Sequence, residues 1–544
     1  MKKFGVRKTA LLLVLFLIVC LEAGTLQAQS GARQAAIPLP PMGWSSWNSF
    51  SNTVDAQVVI AQAKAMVSTG MAKAGYQYIN IDEGWWLGER DKDGNIVVDP
   101  KAWPALADGE KPGDMANIVR FIHAQGLKAG IYTDAGADGC STYGPDIGPS
   151  IPHTGSEGHY EQDFLQFAKW GFDYVKVDWC GGFGENLDPA VQYAEIARAI
   201  ARAEAITGHR LYYSICNWGK DSPWSWAPNV GGVEADIWRT SGDIVAPIVA
   251  NSKNSGRKAS FKGMLSNFDQ GIHPEAQHTG FYNDPDMMVL GMAGLSDAED
   301  RVHMGLWAIS GAPLLVGADL TKLSDATLAT LTNAAVLAID QDALGLQAVK
   351  VAEAAPGLQV WSKPLSTAGA RAVILLNRGT AAASIAVRFS DLGLKDSAPA
   401  RVKNLWASKA DQNDSAPFNS SYANFVPAGD AVMLLIQGVE AGRATYTGVK
   451  AGPGQPLNFT HVASRARVAR IQIAYTNPDK KPRFAELRVN GQIATRIAFP
   501  STGSGNATGM VTIQSLLELT GPNNTLSFST PGNSSPQIKS ISLE

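Results

Sequence analysis

Between Pro41 and Gln341, short apolar runs alternate with longer stretches of helical period. The short runs are Met42-Gly43-Trp44, Tyr78-Ile79-Asn80-Ile81-Asp82, Ala129-Gly130-Ile131-Tyr132, Tyr174-Val175-Lys176-Val177-Asp178, Leu211-Tyr212-Tyr213-Ser214, Ile237-Trp238-Arg239, Met287-Met288-Val289-Leu290 and Leu314-Leu315-Val316. Each has the length of a strand, and most end in polar or aromatic residues. Between several of them lie amphipathic helices. Val58, Ala61, Ala65, Met66 and Met71 share one face, Ile118, Phe121 and Ile122 another, and stretches 160–170 and 190–203 repeat the pattern. Eight strand–helix units in succession predict a (β/α)8 TIM barrel over 38–341, with functional residues at the C-terminal strand ends. A doubly wound sheet is the alternative fold. A nucleotide-binding version of it is disfavoured, because no Gly-rich turn joins a strand to a helix.

After Gln341 the helical period disappears. Leu358–Trp361, Ala372–Leu376, Ile385–Phe389 and Ala431–Ile436 read as strands, and Asn377-Arg378-Gly379 as a turn, which predicts an antiparallel all-β domain over 342–438. From Ala441 to Glu544 the chain is rich in Gly, Pro, Ser, Thr and Asn, with strands at Val468–Tyr475, Ala485–Val489 and Thr525–Phe528. That pattern predicts a C-terminal β-sandwich. The sequons at Asn458 and Asn506 are chance products of such a composition.

The N-terminus changes the cellular picture. Lys2, Lys3, Arg7 and Lys8 precede an apolar run from Leu11 to Leu21, then small and polar residues through Ala28 and Gln29. The run is too short to span a bilayer, so residues 1–28 read as a secretory signal peptide cleaved near Ala28. Val19 fits poorly before a lipidated cysteine, so Cys20 is not read as a lipoprotein site. The mature protein is expected to be secreted or periplasmic, with no membrane association. A net charge of −3 gives no nucleic-acid signal. Nothing in the sequence specifies an oligomeric state. Past Cys20 three cysteines remain, Cys140, Cys180 and Cys216, which allow one disulfide and one leftover thiol. No Cys-x-x-Cys or His cluster points to zinc, and no metal is assigned.

The candidate chemistry lies where the strand ends meet. They offer Trp47, Asp82, Glu83, Tyr132, Asp134, Lys176, Asp178, Asn217, Trp218, Arg239, Asp243, Asp284 and Asp286. Carboxylates accept hydrogen bonds from sugar hydroxyls, aromatic faces cover sugar C–H surfaces, and two carboxylates flanking one bond are what glycoside hydrolysis requires. Asp178 is the better nucleophile, since Lys176 two residues earlier favours its charged form. Asp243, in a loop four residues past Arg239, suits proton donation, although a helix N-cap before Ile244 would also explain it. Asp284-Pro285-Asp286 could equally be turn chemistry.

Together and in order, Gly43-Trp44-Ser45-Ser46-Trp47-Asn48, Asn80-Ile81-Asp82-Glu83-Gly84-Trp85, Gly130-Ile131-Tyr132, Lys176-Val177-Asp178-Trp179-Cys180, Trp238-Arg239-Thr240 with Asp243, and Asn283-Asp284-Pro285-Asp286-Met287 resemble the family 27 glycoside hydrolases, the α-galactosidase or melibiase family. The resemblance covers 41–341, and 341–438 looks like that family's antiparallel C-terminal domain. It implies a retaining exo-glycosidase acting on oligo- or polysaccharides by double displacement, without a cofactor for catalysis. Carried over, Asp178 matches the nucleophile and Asp243 the acid/base. Trp47, Asp82, Glu83, Tyr132, Cys140, Lys176, Cys180, Arg239 and Asp286 match sugar-pocket positions, and Cys140 and Cys180 match a disulfide pair.

The chain departs from that family's pattern in three places. Relatives usually carry Asp-Asp where Asp82-Glu83 stands, and the extra methylene would push a carboxylate toward the exocyclic hydroxymethyl of galactose. That makes a β-L-arabinopyranosidase the nearest rival activity. Asn217-Trp218 stands after Cys216 where many relatives read Glu-Trp, and Cys216 has no evident partner. A sugar-binding protein without catalysis is the rival of another class, and the presence of both acids speaks against it. The third segment resembles family 35 and family 6 carbohydrate-binding modules in Ala441-Gly442-Arg443, 485–491, 499–503 and 538–543. Such modules often hold calcium, which the resemblance allows here, although no acidic cluster in the segment requires it.

Overall fold

The computed structural model describes residues 38–143, 149–229, 235–244, 259–278, 280–407, 417–450, 455–463, 469–515, 523–529 and 536–543. The signal-peptide reading of 1–28, Cys20, Val468 and the residues after Ile244 that the N-cap alternative for Asp243 needs lie outside the described residues.

Eight strands form one parallel sheet: β1 (Met42–Ser45), β2 (Tyr78–Asn80), β3 (Lys128–Asp134), β4 (Tyr174–Asp178), β5 (Tyr212–Cys216), β6 (Ile237–Arg239), β7 (Tyr282–Asp284) and β8 (Leu314–Val316). Neighbours in sequence pair in space, and β1 also pairs with β8, as expected of a barrel. The seam between β7 and β8 is bridged by Met288: its N–H donates to Leu315 (2.7 Å), and its carbonyl accepts from Gly317 (2.9 Å). Here the sequence expectation is corrected. The seventh strand is Tyr282–Asp284, and the apolar run Met287–Leu290 only closes the seam. Asn283 can be a buried strand residue because its amide is satisfied, accepting from Trp238 Nε1 (2.9 Å) and donating to the His273 carbonyl (2.9 Å).

Local chemistry fixes the helices around the sheet. Asp55 caps Ala56–Ser68 by accepting from the Val58 N–H, Asp188 caps Pro189–Thr207, and Ser296 with Glu299 forms a capping box on Asp297–Ser310. At the N-terminal end the barrel is filled by a layer of Tyr78, Tyr174, Tyr212, Ile237 and Tyr282. The rings of Tyr174 and Tyr212 stack there at 5.7 Å. Polar side chains are thus left to the opposite end.

Beyond the barrel, a five-stranded antiparallel sheet runs in the spatial order Arg401–Asn404, Asp430–Gln437, Ala370–Asn377, Leu358–Pro364, Val349–Ala355. It shares a core with the two-stranded sheet Ala383–Arg388 and Ser421–Val426. The last segment folds as a four-stranded and a five-stranded sheet around Phe459, Ile471, Tyr475, Leu487, Phe499, Phe528 and Ile541. The two β regions are joined at Glu440, which receives Arg371 (3.4 Å), Arg443 (2.6 Å) and Arg470 (2.9 Å). Among the described residues no helix is long and apolar enough to cross a membrane.

Candidate active site

The register of the central strands sets the site. Tyr132 lies beside Lys176 across β3 and β4, Asp134 beside Asp178, and Asp178 beside Cys216 on β5. Because alternate residues of a strand share a face, Lys176 and Asp178 point the same way. Lys176 Nζ lies 2.9 Å from Asp82 Oδ2 and 3.4 Å from Asp178 Oδ2. A second cation stands opposite on β6. Arg239 reaches Asp243 (3.0 Å) and Asp286 (3.0 Å), and also the Ser241 carbonyl and the Cys216 sulfur (3.6 Å). Cys216, read as lacking a partner, is a buried free thiol that accepts this guanidinium contact.

Asp82, Lys176, Cys216, Arg239 and Asp286 line one cavity at the C-terminal strand ends, together with Ser45, Asn80, Ser214, Asp284, Met287 and Leu315, and Asp178 and Asp243 are paired with its two cations. Ser45, Ser214 and Met287 were not singled out from the sequence. Ser45 could have been found from its place inside the first motif, since its hydroxyl donates to Asp82 (3.3 Å). Trp47 packs with Met287 and Leu315 against Cys140 and forms an apolar wall. Cys140 and Cys180 are joined in a disulfide, as the resemblance implied. Tyr132 donates toward the Cys140 sulfur (3.6 Å) and carries Lys176 over its ring (5.2 Å).

Charge is held in balance by burial and neighbours. Burial pushes the Asp178 carboxyl above its ordinary range; Lys176 opposes this only in part, while Asp243 and Asp82 add to it. Lys176 favours the charged form of Asp178, as expected, but desolvation acts against it and is the larger of the two effects. Burial would lower the Lys176 ammonium, but the carboxylates of Asp82, Asp178 and Asp243 outweigh it and hold the group well above its usual value. Asp286 is raised to about 7 by burial, against the pull of Arg239. Its backbone N–H donates to Asp284 Oδ1 (2.9 Å), so the Asp-Pro-Asp segment is both a turn and a site element. Asp286 holds φ 106, a strained conformation for a residue with a side chain, kept by Arg239 and the Ile244 N–H (2.8 Å). Asp243 stands 43% exposed at the mouth, with its carboxylate on Arg239.

Four of the residues singled out from the sequence are engaged by local structure. The Glu83 carboxylate accepts from the Ser141 N–H (3.1 Å) and hydroxyl (2.7 Å), and burial raises its pKa to about 7. Asn217 donates to the Lys220 carbonyl (2.7 Å), while Trp218 turns the chain with φ 55. Asp134 is fully buried and accepts from the N–H groups of Gly136, Cys180 and Gly181, so it supports the loop after Asp178. Asp134, Asp178 and the two cysteine sulfurs approach within 4.8 Å, but disulfide sulfurs are not thiolate ligands and this donor set does not fit a metal.

Comparison with known proteins agrees with this geometry. Residues 39–342 match the family model described as alpha galactosidase A, 355–436 the alpha galactosidase C-terminal beta sandwich domain, and 456–542 an alpha-galactosidase CBM13 domain. The last match keeps the carbohydrate-binding-module reading under a different family number. The chain is 40% identical over 374 residues to alpha-galactosidase A of Cellvibrio japonicus, covering 68% of this chain and 84% of that one. It is 37% identical over 405 residues to a probable alpha-galactosidase of Dictyostelium discoideum, covering 73% and 92%. The crystal structure of alpha-galactosidase I from Mortierella vinacea superposes with a TM-score of 0.63 at 28% identity, covering 76% of this chain and all of that one. The chain therefore belongs to the α-galactosidase (melibiase) family of glycoside hydrolases.

Proposed function

We propose that the chain removes terminal α-D-galactosyl residues from oligo- or polysaccharides with retention of configuration. The observation that carries this reading is a pair of carboxylates close enough to act on one another, each with its own cation: Asp178 with Lys176 and Asp243 with Arg239. Asp178 attacks the anomeric carbon while Asp243 gives its proton to the departing glycosidic oxygen. The covalent glycosyl–Asp178 ester is then opened by water, whose proton returns to Asp243. Lys176, Asp82, Arg239 and Asp286 hold sugar hydroxyls, and Trp47 covers the apolar sugar face. Both steps run on carboxyl groups and need no cofactor. Export from the cytoplasm, the division at 38–341, 342–438 and 441–544, and a carbohydrate ligand for the last segment complete the reading.

A second reading, β-L-arabinopyranoside hydrolysis, is favoured by Glu83 alone. Its longer side chain is already spent on Ser141, and Gly139 leaves room for it: a Cβ there would come within 2.4 Å of Glu83 Oε1. The test is kcat/KM on p-nitrophenyl α-D-galactopyranoside beside p-nitrophenyl β-L-arabinopyranoside. Preference for the galactoside supports the first reading. Preference for the arabinoside replaces it, and Glu83→Asp should then restore galactoside activity by roughly tenfold, the scale of a methylene-sized discrimination. Turnover of neither substrate sinks both.

A further inference from the structure

The disulfide that borders the pocket also organises something outside it. Cys140 begins the helical turn Cys140–Tyr143 after β3, and Cys180 begins the turn Cys180–Gly184 after β4. The two loops meet backbone to backbone. A Cβ on Gly181 would come within 2.4 Å of the Asp138 carbonyl, and one on Gly136 within 2.3 Å of the Gly181 carbonyl carbon. Only glycine permits that approach.

Each turn then presents one aromatic ring to solvent, three residues beyond its cysteine. Phe183 is 61% exposed and Tyr143 46%, both high for rings in an ordered part of a soluble domain. The rings are not loose. Tyr143 lies on Gly184, where a Cβ would stand 2.6 Å from the ring, and Lys220 from the loop after β5 places its ammonium 4.8 Å from the Phe183 ring centre. Asp138 and Glu185 are close enough to act on the Tyr143 hydroxyl. Exposed aromatic rings are thus flanked by a hydrogen-bond donor and acceptors, on the same barrel face as Asp178, and Tyr143 stands one helical turn from Cys140, which packs on Trp47.

We propose that Phe183 and Tyr143 form a binding platform for the sugar on the leaving-group side of the substrate. The inference rests on the galactosidase reading above and extends it from the terminal galactosyl unit to the chain that carries it. The aromatic faces cover sugar C–H surface, while Lys220, Asp138 and Glu185 meet hydroxyls. The two platform halves are set side by side by the Cys140–Cys180 bridge.

The test compares the unaltered chain with Phe183→Ala, Tyr143→Ala and Phe183→Tyr on two substrates: stachyose, which has sugars on the leaving-group side, and α-D-galactosyl fluoride, which has none. The quantity read is the ratio of kcat/KM on stachyose to kcat/KM on the fluoride. An aromatic contact of this kind corresponds to about a three- to tenfold fall in that ratio for Phe183→Ala, with a smaller fall for Tyr143→Ala and a return toward the unaltered value for Phe183→Tyr. A ratio within twofold of the unaltered chain, or a parallel fall on both substrates, would overturn the platform. Absence of fluoride release by the unaltered chain would instead overturn the galactosidase reading, and the platform with it.

Discussion

Lys176 and Lys363 are both lysines drawn out of bulk water, and their ammonium groups respond in opposite directions. Lys363, on strand Leu358–Pro364, donates to the Ala308 carbonyl (3.2 Å) at the seam between barrel and β domain. Burial lowers its pKa to about 8, against the partial pull of Asp340 and Asp342, and burial raises Asp340 to about 8. Lys176 faces the same penalty, but Asp82 at 2.9 Å, Asp178 at 3.4 Å and the nearby Asp243 overcome it. Neighbours that offset burial only in part leave a buried pair near neutrality; close, converging ones keep the charge in place. The seam can be neutral because it only has to hold two layers together. The pocket cannot, because fixed charge is what orients hydroxyls and stabilises charge as it moves during reaction.

The largest effects should come from the two acids. Asp178→Asn should lower kcat by on the order of 10⁴-fold or more, as loss of a nucleophile does. Asp243→Asn should cost about 10²–10⁴-fold on a poor leaving group and much less on a good one, because only the former needs the proton. Steady-state rates on melibiose and on α-D-galactosyl fluoride measure both.

Next come the lysines. Lys176→Met leaves the carboxylates of Asp82 and Asp178 without their cation and should cost about 3–5 kcal/mol in urea unfolding, along with most activity. Lys363→Met removes a weaker hydrogen bond from a nearly neutral pair and should cost about 1–2 kcal/mol with kcat preserved. Equal costs for the two variants would break the comparison.

A smaller effect concerns pH. Folded Glu83, at about 7, binds its proton more tightly than in the unfolded chain, where its ordinary value is 4.5. Its contribution to stability is present below about 4.5 and is lost as pH rises through about 7. Melting temperature should fall across that window, and Glu83→Gln should flatten part of the fall, the remainder belonging to other raised acids such as Asp286. An unchanged pH slope in Glu83→Gln would mean that Glu83 is ionised in the folded protein.

Seven of the eight barrel strands were legible because the positions facing the surrounding helices are apolar, as with Val175 and Val177, or because a charge closes them, as with Asp178. The seventh was not. Its residues Tyr282, Asn283 and Asp284 are buried polar groups, the first two satisfied by partners distant in sequence, whereas the apolar run after it advertised a strand that is only a bridge. The same limit applies at Glu83. Its residue type was visible, but its direction depends on Ser141, 58 positions away. Lys176 and Asp178 were readable as a pair, but not the weight of burial against that pair, since it depends on how Asp82 and Asp243 converge. Phe183 drew no attention because exposure has no signature in a single apolar letter.

In a double displacement Asp178 forms a covalent bond to the sugar. A slow 5-fluoro-α-D-galactosyl fluoride should trap that ester, and mass spectrometry of the digested protein should locate the added sugar on the peptide carrying Asp178, with the Asp243 peptide unmodified. A sugar found on Asp243 or on any other residue, or steady turnover of the reagent with no labelled peptide, would contradict the assignment of roles at this site.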